Sequence, residues 1–569
     1  MRTLGARPGF TVVSPKWVVT ATAAALLSLG ACQGSISSLH GPGGGAGAGA
    51  GAGSTGNPGT GGSPNLTVAC SAPALGTPTL RLLTRSELVN SLNDIFPTVA
   101  GQWSTAALPA GSVSTFGFDN DAGTTVGKQL AGGMVDTALS LATAITGNAL
   151  ASLLPCSQST PNHSCAEQFV NQYGRRLFRR PLTSAEHNRY LAFFDASLAK
   201  SNFTSAMKWL VVALVQSPSA VYRSEIGTTQ SDGTRKLSPH EIATALSYTF
   251  GGTTPSSDLL DKADAGALGD LVAAARTLQA TPAGQQTLLR FFQGYLAYTS
   301  VSSIQKPNIA NFSAISGDMV QETDAFINEV VVQKGGGMKE LLTAGTTNPS
   351  AALATYYGFP APASDFASVA RPAGRGLGIL AQGAFLASHA SSDSSSPTKR
   401  GLFPYFRLFC QPKLVPPDNV PKIGQPMPGQ LTTRQRYEEA HATPGSICAG
   451  CHTRFDPIGF GFEHYDEGGR FRADEGGLPI NSASSVPDPN HLGSSLFSFA
   501  GEEDLVTGLA DLPLVDQCVA AYLATYAYGS GEACTGASQV PALQAGTMGL
   551  AEAYVQLAAE PHFTQRTGN

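Results

Sequence analysis

The 569-residue chain has no basic tract, and after residue 31 it has no apolar run that reads as long enough to cross a bilayer. With a net charge of −5 at pH 7, the missing basic tract argues against nucleic acid or an anionic lipid surface as a partner. The run WLVVALV, 209–215, is a core helix segment on this reading. Period-two alternation is scarce, which argues against a sheet-based fold. No G-x-S-x-G frames a serine, so SHASSDSSSPTKRG, 388–401, lacks the elbow that presents a hydrolase nucleophile despite holding His389, Asp393 and Ser396. That stretch reads as a serine-rich connector with an N-capped helix after Pro397.

Acidic residues are also missing from the first 31 positions, where Arg2, Arg7 and Lys16 lead into WVVTATAAALLSLGA. This run is shorter than the roughly 20 residues a spanning helix needs, and it reads as the apolar part of a secretory signal. Leu29-Gly30-Ala31-Cys32 resembles a bacterial lipobox, which implies cleavage before Cys32 and a lipid on its thiol. A plain signal peptide cut near Ala31 is the alternative. The expectation is an exported cell-envelope lipoprotein, in the periplasm or at the outer membrane or cell surface, held to the membrane through its N-terminal lipid alone.

Export lets cysteines persist as disulfides. Cys156 and Cys165 bracket the turn-rich loop SQSTPNHS, and Cys518 and Cys534 bracket a helix followed by YGSGEA. Both pairs are expected as local staples, leaving Cys70 and Cys410 bonded to each other or free.

Residues 34–64 are dominated by Gly, Ala and Ser, so 33–78 reads as a flexible linker behind the signal segment 1–32. From residue 79 helix signals repeat. LTRSELVNSLNDIF at 83, LTSAEHNRYLAFF at 182 and LSPHEIATALSYTF at 237 each place Ser or Thr three residues before Glu, the reciprocal pattern that satisfies backbone N–H groups at a helix start. Pro239 falls at a first helical position, where its missing N–H costs nothing. Ile242, Ala245, Leu246 and Phe250 then recur at helical spacing. Further helices are predicted near 127–147, 203–216, 285–297, 317–333, 375–388, 431–442 and 515–527. The expected fold is mainly α: several small helical bundles in tandem, with modules at 79–155, 156–230, 231–345 and 497–562 and a C-x-x-C-H module at 370–475.

CAGCHTRFDPIGFGFEHYDEGGRFR, 448–472, carries that motif. Nine cysteines and ten histidines give about 0.002 chance matches, so coincidence is set aside. In a c-type haem site each thiol adds to one vinyl group and the following histidine takes the iron as proximal ligand. Cys448 and Cys451 would then attach one covalent haem c, with His452 on its iron. Two other chemistries stay open. Cys448 and Cys451 could close a disulfide, or a zinc ion could be held with His441 or His464 nearby, although adjacent Cys451 and His452 on one ion strain a tetrahedral site. A distal haem ligand would come from His441 or Met427, with His464 and His389 as further candidates. Without one the iron is five-coordinate and open to a small molecule such as peroxide.

The longer stretch TTRQRYEEAHATPGSICAGCHTRFDPIGFGFEHYDEGGRFR, 432–472, keeps Arg434, Arg436 and His441 before the motif and Asp456, Pro457, Gly459, Phe460, Glu463, Tyr465, Asp466, Gly469, Phe471 and Arg472 after it. In this it resembles a segment of the secreted planctomycete-type cytochrome-like multi-module bacterial family, which also occurs among myxobacterial-type lipoproteins and has no established activity. The resemblance extends to FVNQYGRRLFRRPLTSAE, KLSPHEIATALSYTFGGTTPSSDLL and GILAQGAFLASHASSDSSSPTKRG. It implies an architecture and a cytochrome c-like C-x-x-C-H module, not a reaction.

Around the motif, Asp456 is expected to start a tight turn, with Phe460 and Phe462 packing. Glu463, Asp466, Arg470 and Arg472 would form a local ion-pair set, or the arginines would neutralise haem propionates. The four arginines of RRLFRRP, 175–181, are expected to pair carboxylates rather than bind an anionic partner. Together these readings predict an exported, lipid-anchored c-type haem protein in electron transfer, or a redox subunit of an extracytoplasmic process, with a redox partner protein and no nucleic acid. The alternative is a non-enzymatic surface lipoprotein for binding or scaffolding, with a structural Cys448–Cys451 disulfide.

Overall fold

Ser or Thr three residues before Glu does start helices here. The computed structural model describes residues 75–568 other than 115, 413, 415–422, 424–429, 445, 447, 492 and 530–545. The expected signal segment with Cys32, the expected linker through residue 74 with Cys70, Met427 and Cys534 therefore lie outside the described residues. Helices carry most of the rest: α1 (Arg85–Ile95), α2 (Lys128–Ala144), α3 (Ser184–Leu198), α4 (Phe203–Val215) and α5 (Pro239–Gly251) in the first half. Later come α6 (Pro397–Phe403), α7 (Thr433–His441), α8 (Ala449–His452), α9 (Asp456–Gly459) and α10 (Pro513–Tyr528). At α1, α3 and α5 the hydroxyls of Thr84, Thr183 and Ser238 accept from the backbone N–H groups of Glu87, Glu186 and Glu241, whose carboxylates accept in return from the cap N–H.

The fold is mainly α, and its strands are two to five residues long. Two apolar cores hold it. One gathers residues from Leu83 to Ala220, together with Tyr248, and the other draws on Phe118 and on residues from Leu237 to Phe563. The segments 231–345, 370–475 and 497–562 all contribute residues to this second core.

The antiparallel pair of Thr79–Leu82 with Tyr222–Glu225 ties the start of the described chain to the segment after α4 and sets Arg81 opposite Arg223. Gln565–Arg566 pairs with Arg235–Lys236, returning the chain end to the middle of the fold.

Three expectations need correction. The helical run Lys128–Leu153 does have the length and mean hydropathy of a membrane span. Its Ala138, Leu141, Ala142 and Ile145 recur on one face and are buried in the first core, while 33% of its apolar window as a whole is buried. The helix predicted over 375–388 starts late, after Gly376 and Gly378 at positive φ, and is split at the extended Gln382 into two short pieces, Ile379–Ala381 and Gly383–Ser388.

The third concerns the cysteines. Cys156 is joined to Cys165, but Cys518 is bonded to Cys410 and not to Cys534, with Cα atoms 5.5 Å apart across 108 positions. α10 lies against the π-helical turn Pro404–Leu408, and that tertiary contact delivers Cys410 to the buried Cys518. Local bracketing of a helix carries no information about such an approach.

Candidate functional site

The C-x-x-C-H turn is built on α6. Ser396 caps that helix by accepting from the Lys399 N–H, and Pro397 occupies its first position, as the connector reading expects. Arg400, fully buried, donates to the carbonyls of Phe462, Tyr465, Leu386 and Asp466 at 2.6–3.2 Å. Burial lowers its pKa to about 10, so it keeps its charge at neutral pH. One side chain thus pins the turn GFEHYD from inside.

Two glycines bring α6 and α9 into backbone contact. A Cβ on Gly401 would lie 1.9 Å from the Phe455 carbonyl oxygen, and one on Gly459 would lie 1.9 Å from that of Pro397. This approach lets the Thr398 hydroxyl donate to Oδ1 of Asp456 at 2.6 Å.

The other oxygen of Asp456 is shared. Nδ1 of His452 lies 2.9 Å and Nδ1 of His441 3.1 Å from Oδ2, and the two imidazoles stack with centroids 3.5 Å apart. α7 ends at His441, α8 ends at His452, and Asp456 opens α9, so three short helices converge on one carboxylate. Asp456 is only 4% exposed. Burial alone would raise its pKa, yet hydrogen bonds from His441, His452 and Thr398 hold it below the ordinary carboxylate value, so it stays ionised. An ionised carboxylate only accepts, so each imidazole directs an Nδ1–H at Oδ2 and Nε2 is the ring nitrogen turned away from it.

Cys448 and Cys451 are unpaired and half-buried, so the disulfide of the scaffold reading is not formed here. The backbone N–H groups of Cys451 and His452 both reach back to the Cys448 carbonyl, placing the two thiols on one helical turn. A Cβ on the intervening Gly450 would meet nothing within 4 Å. The donor set fits a c-type haem: two free thiols on a turn, and a histidine whose far nitrogen is left open because the near one is held by a carboxylate.

His441 stacks against His452 and shares its carboxylate partner. His464 is elsewhere, hydrogen-bonded to the Arg472 carbonyl and stacked on Phe471, so it joins no metal cluster with His452. His389 is bonded to the Phe385 carbonyl and stacked on that ring, and burial lowers its pKa to about 4. Ser396 meets Tyr437, so no triad links His389, Asp393 and Ser396. Arg470 pairs with Asp466, and Arg472 pairs with Glu463 and Glu475. In RRLFRRP, Arg175 and Arg180 pair with carboxylates, whereas Arg176 and Arg179 donate to backbone carbonyls.

Sequence reasoning missed Thr398, and it took Asp456 for a turn former only. The spacing of His452 and Asp456, four residues, was the available signal.

Three family models match consecutive parts of the chain: PSD5, a protein of unknown function (DUF1595), over 165–225, PSD4, a protein of unknown function (DUF1592), over 237–359, and PSCyt3, a protein of unknown function (DUF1588), over 376–475. The matches support the planctomycete cytochrome C-type multi-module family. No curated protein and no solved structure matches the chain. The PSCyt3 segment contains Thr398, Arg400, His441, both free cysteines, His452 and Asp456, so the whole cluster falls within one module.

Proposed function

We propose that this chain is an exported, lipid-anchored protein carrying one covalent haem c on Cys448 and Cys451, with His452 as proximal ligand and Cys32 as the lipidated residue. Its role is electron transfer, or service as a redox subunit in an extracytoplasmic process, in contact with a redox partner protein. The observation that carries this reading is the hold of Asp456 on Nδ1 of His452 beside two unpaired thiols. That hold fixes the tautomer and aims the remaining nitrogen's lone pair, the usual support for a metal-bound imidazole. Haem at this site would supply a one-electron couple.

The test is haem staining after denaturing electrophoresis of protein made in a host competent in cytochrome c maturation. A stain that survives in the wild type and disappears in the double variant Cys448→Ala, Cys451→Ala is expected. Colourless wild-type protein overturns the proposal.

A second reading has one observation behind it: ligand atoms of His441, His452 and Asp456 lie within 4.8 Å of one another, close enough to hold a divalent metal ion. It predicts stoichiometric zinc by elemental analysis, no Soret band, and loss of the metal in His441→Ala.

A further inference from the structure

We infer that Asp456 is a positioning residue whose single free oxygen is divided between His452 and His441, and that this division tunes how strongly His452 donates to a haem iron. The inference rests on the haem reading above and adds a role for two side chains outside the C-x-x-C-H motif.

Oδ1 of Asp456 accepts from the Thr398 hydroxyl at 2.6 Å, which also lies 3.3 Å from Nδ1 of His452, and both imidazoles lie on Oδ2, at 2.9 and 3.1 Å. Asp456 and His441 are buried, at 4% and 6% exposure, so water does not compete freely for that oxygen. A ring N–H bonded to a carboxylate gains imidazolate character, which makes the opposite nitrogen a stronger donor. A stronger donor stabilises the oxidised metal and lowers the midpoint potential. Two N–H groups on one oxygen each receive part of its charge, so His441 draws off part of what His452 would otherwise receive. The stacked geometry gives His441 this modulating position.

Opposite signs follow for two substitutions. Asp456→Asn removes the negative charge, weakens the donor and raises the potential. His441→Phe keeps a stacked ring, leaves Oδ2 to His452 alone and lowers the potential, with no change of spin state. A purely structural role for either residue predicts loss of haem or shifts of one sign.

The experiment uses the full chain from a maturation-competent host, with haem staining first and spectroelectrochemical titration second. An unstained wild type defeats the haem reading itself. With stain present throughout, opposite shifts in the two variants support the inference. Shifts of the same sign, no shift, or a low-spin to high-spin conversion in His441→Phe overturn it. Should Asp456→Asn fail to accumulate, Thr398→Val replaces it. Removing that hydroxyl from Oδ1 and from its 3.3 Å approach to His452 Nδ1 leaves the carboxylate's charge to the two imidazoles, so the potential is expected to fall as in His441→Phe, and a rise or no change refutes the sharing.

Discussion

Glu225 and Asp456 are both buried carboxylates shared among several cations or donors, and they come to different ends. Glu225, 3% exposed, receives Arg81 and Arg223 on one oxygen at 3.3 and 3.2 Å and Arg566 on the other. The strand register sets Arg81 directly opposite Arg223, two like charges that Glu225 reconciles. Burial would raise its pKa, but the three guanidinium groups hold it well below the ordinary value. A guanidinium has donors only, so this cluster offers no ring lone pair to a metal ion. An imidazole has a second nitrogen. Around Asp456 the same kind of sharing leaves the second nitrogen of each ring turned away from the carboxylate. What a buried carboxylate does therefore depends on what its partners still have to offer.

Glu225→Gln is the most severe way to break this comparison. Three buried guanidinium groups would lose their anion, at a cost of about 3–5 kcal/mol in urea unfolding. Glu502 sharpens it from the other side, as a buried carboxyl with a backbone N–H, that of Leu377, as its donor and no ion pair among the described residues. Burial raises its pKa to about 8. The folded state therefore holds a proton that the unfolded chain releases above its ordinary pKa, so this group lowers stability as pH rises from about 4.5 to 8. Glu502→Gln should flatten that decline, leaving the variant on the order of 2 kcal/mol more stable than wild type at pH 8 and little changed at pH 4. Urea midpoints at the two pH values decide it.

Asp456→Asn in haem-free protein is the mildest. It removes one acceptor oxygen from two imidazoles and should cost only about 1–2 kcal/mol by the same urea measurement. A loss equal to that of Glu225→Gln would erase the distinction drawn here.

Much of the helical frame was legible because its signals are local. Thr84, Thr183 and Ser238 lie three residues from their glutamates, and a helix start needs no more than that. The free state of Cys448 and Cys451 was one of the readings their spacing left open. What sequence could not convey depends on approach through space. Cys410 meets Cys518 only because α10 settles on a distant turn. Arg400 reads as one more residue in a serine-rich connector until four carbonyls surround it. Thr398 reaches Asp456 across 58 positions, with nothing in either local pattern to announce the pair.

That last reach depends on Gly401 and Gly459. A single methyl group at either position would act as a wedge, prying α6 from α9 and carrying the threonine hydroxyl away from the aspartate. The histidines would then face a carboxylate free to rotate, with both oxygens on offer. The tolerances of the site are thus set by two carbon atoms that the sequence omits.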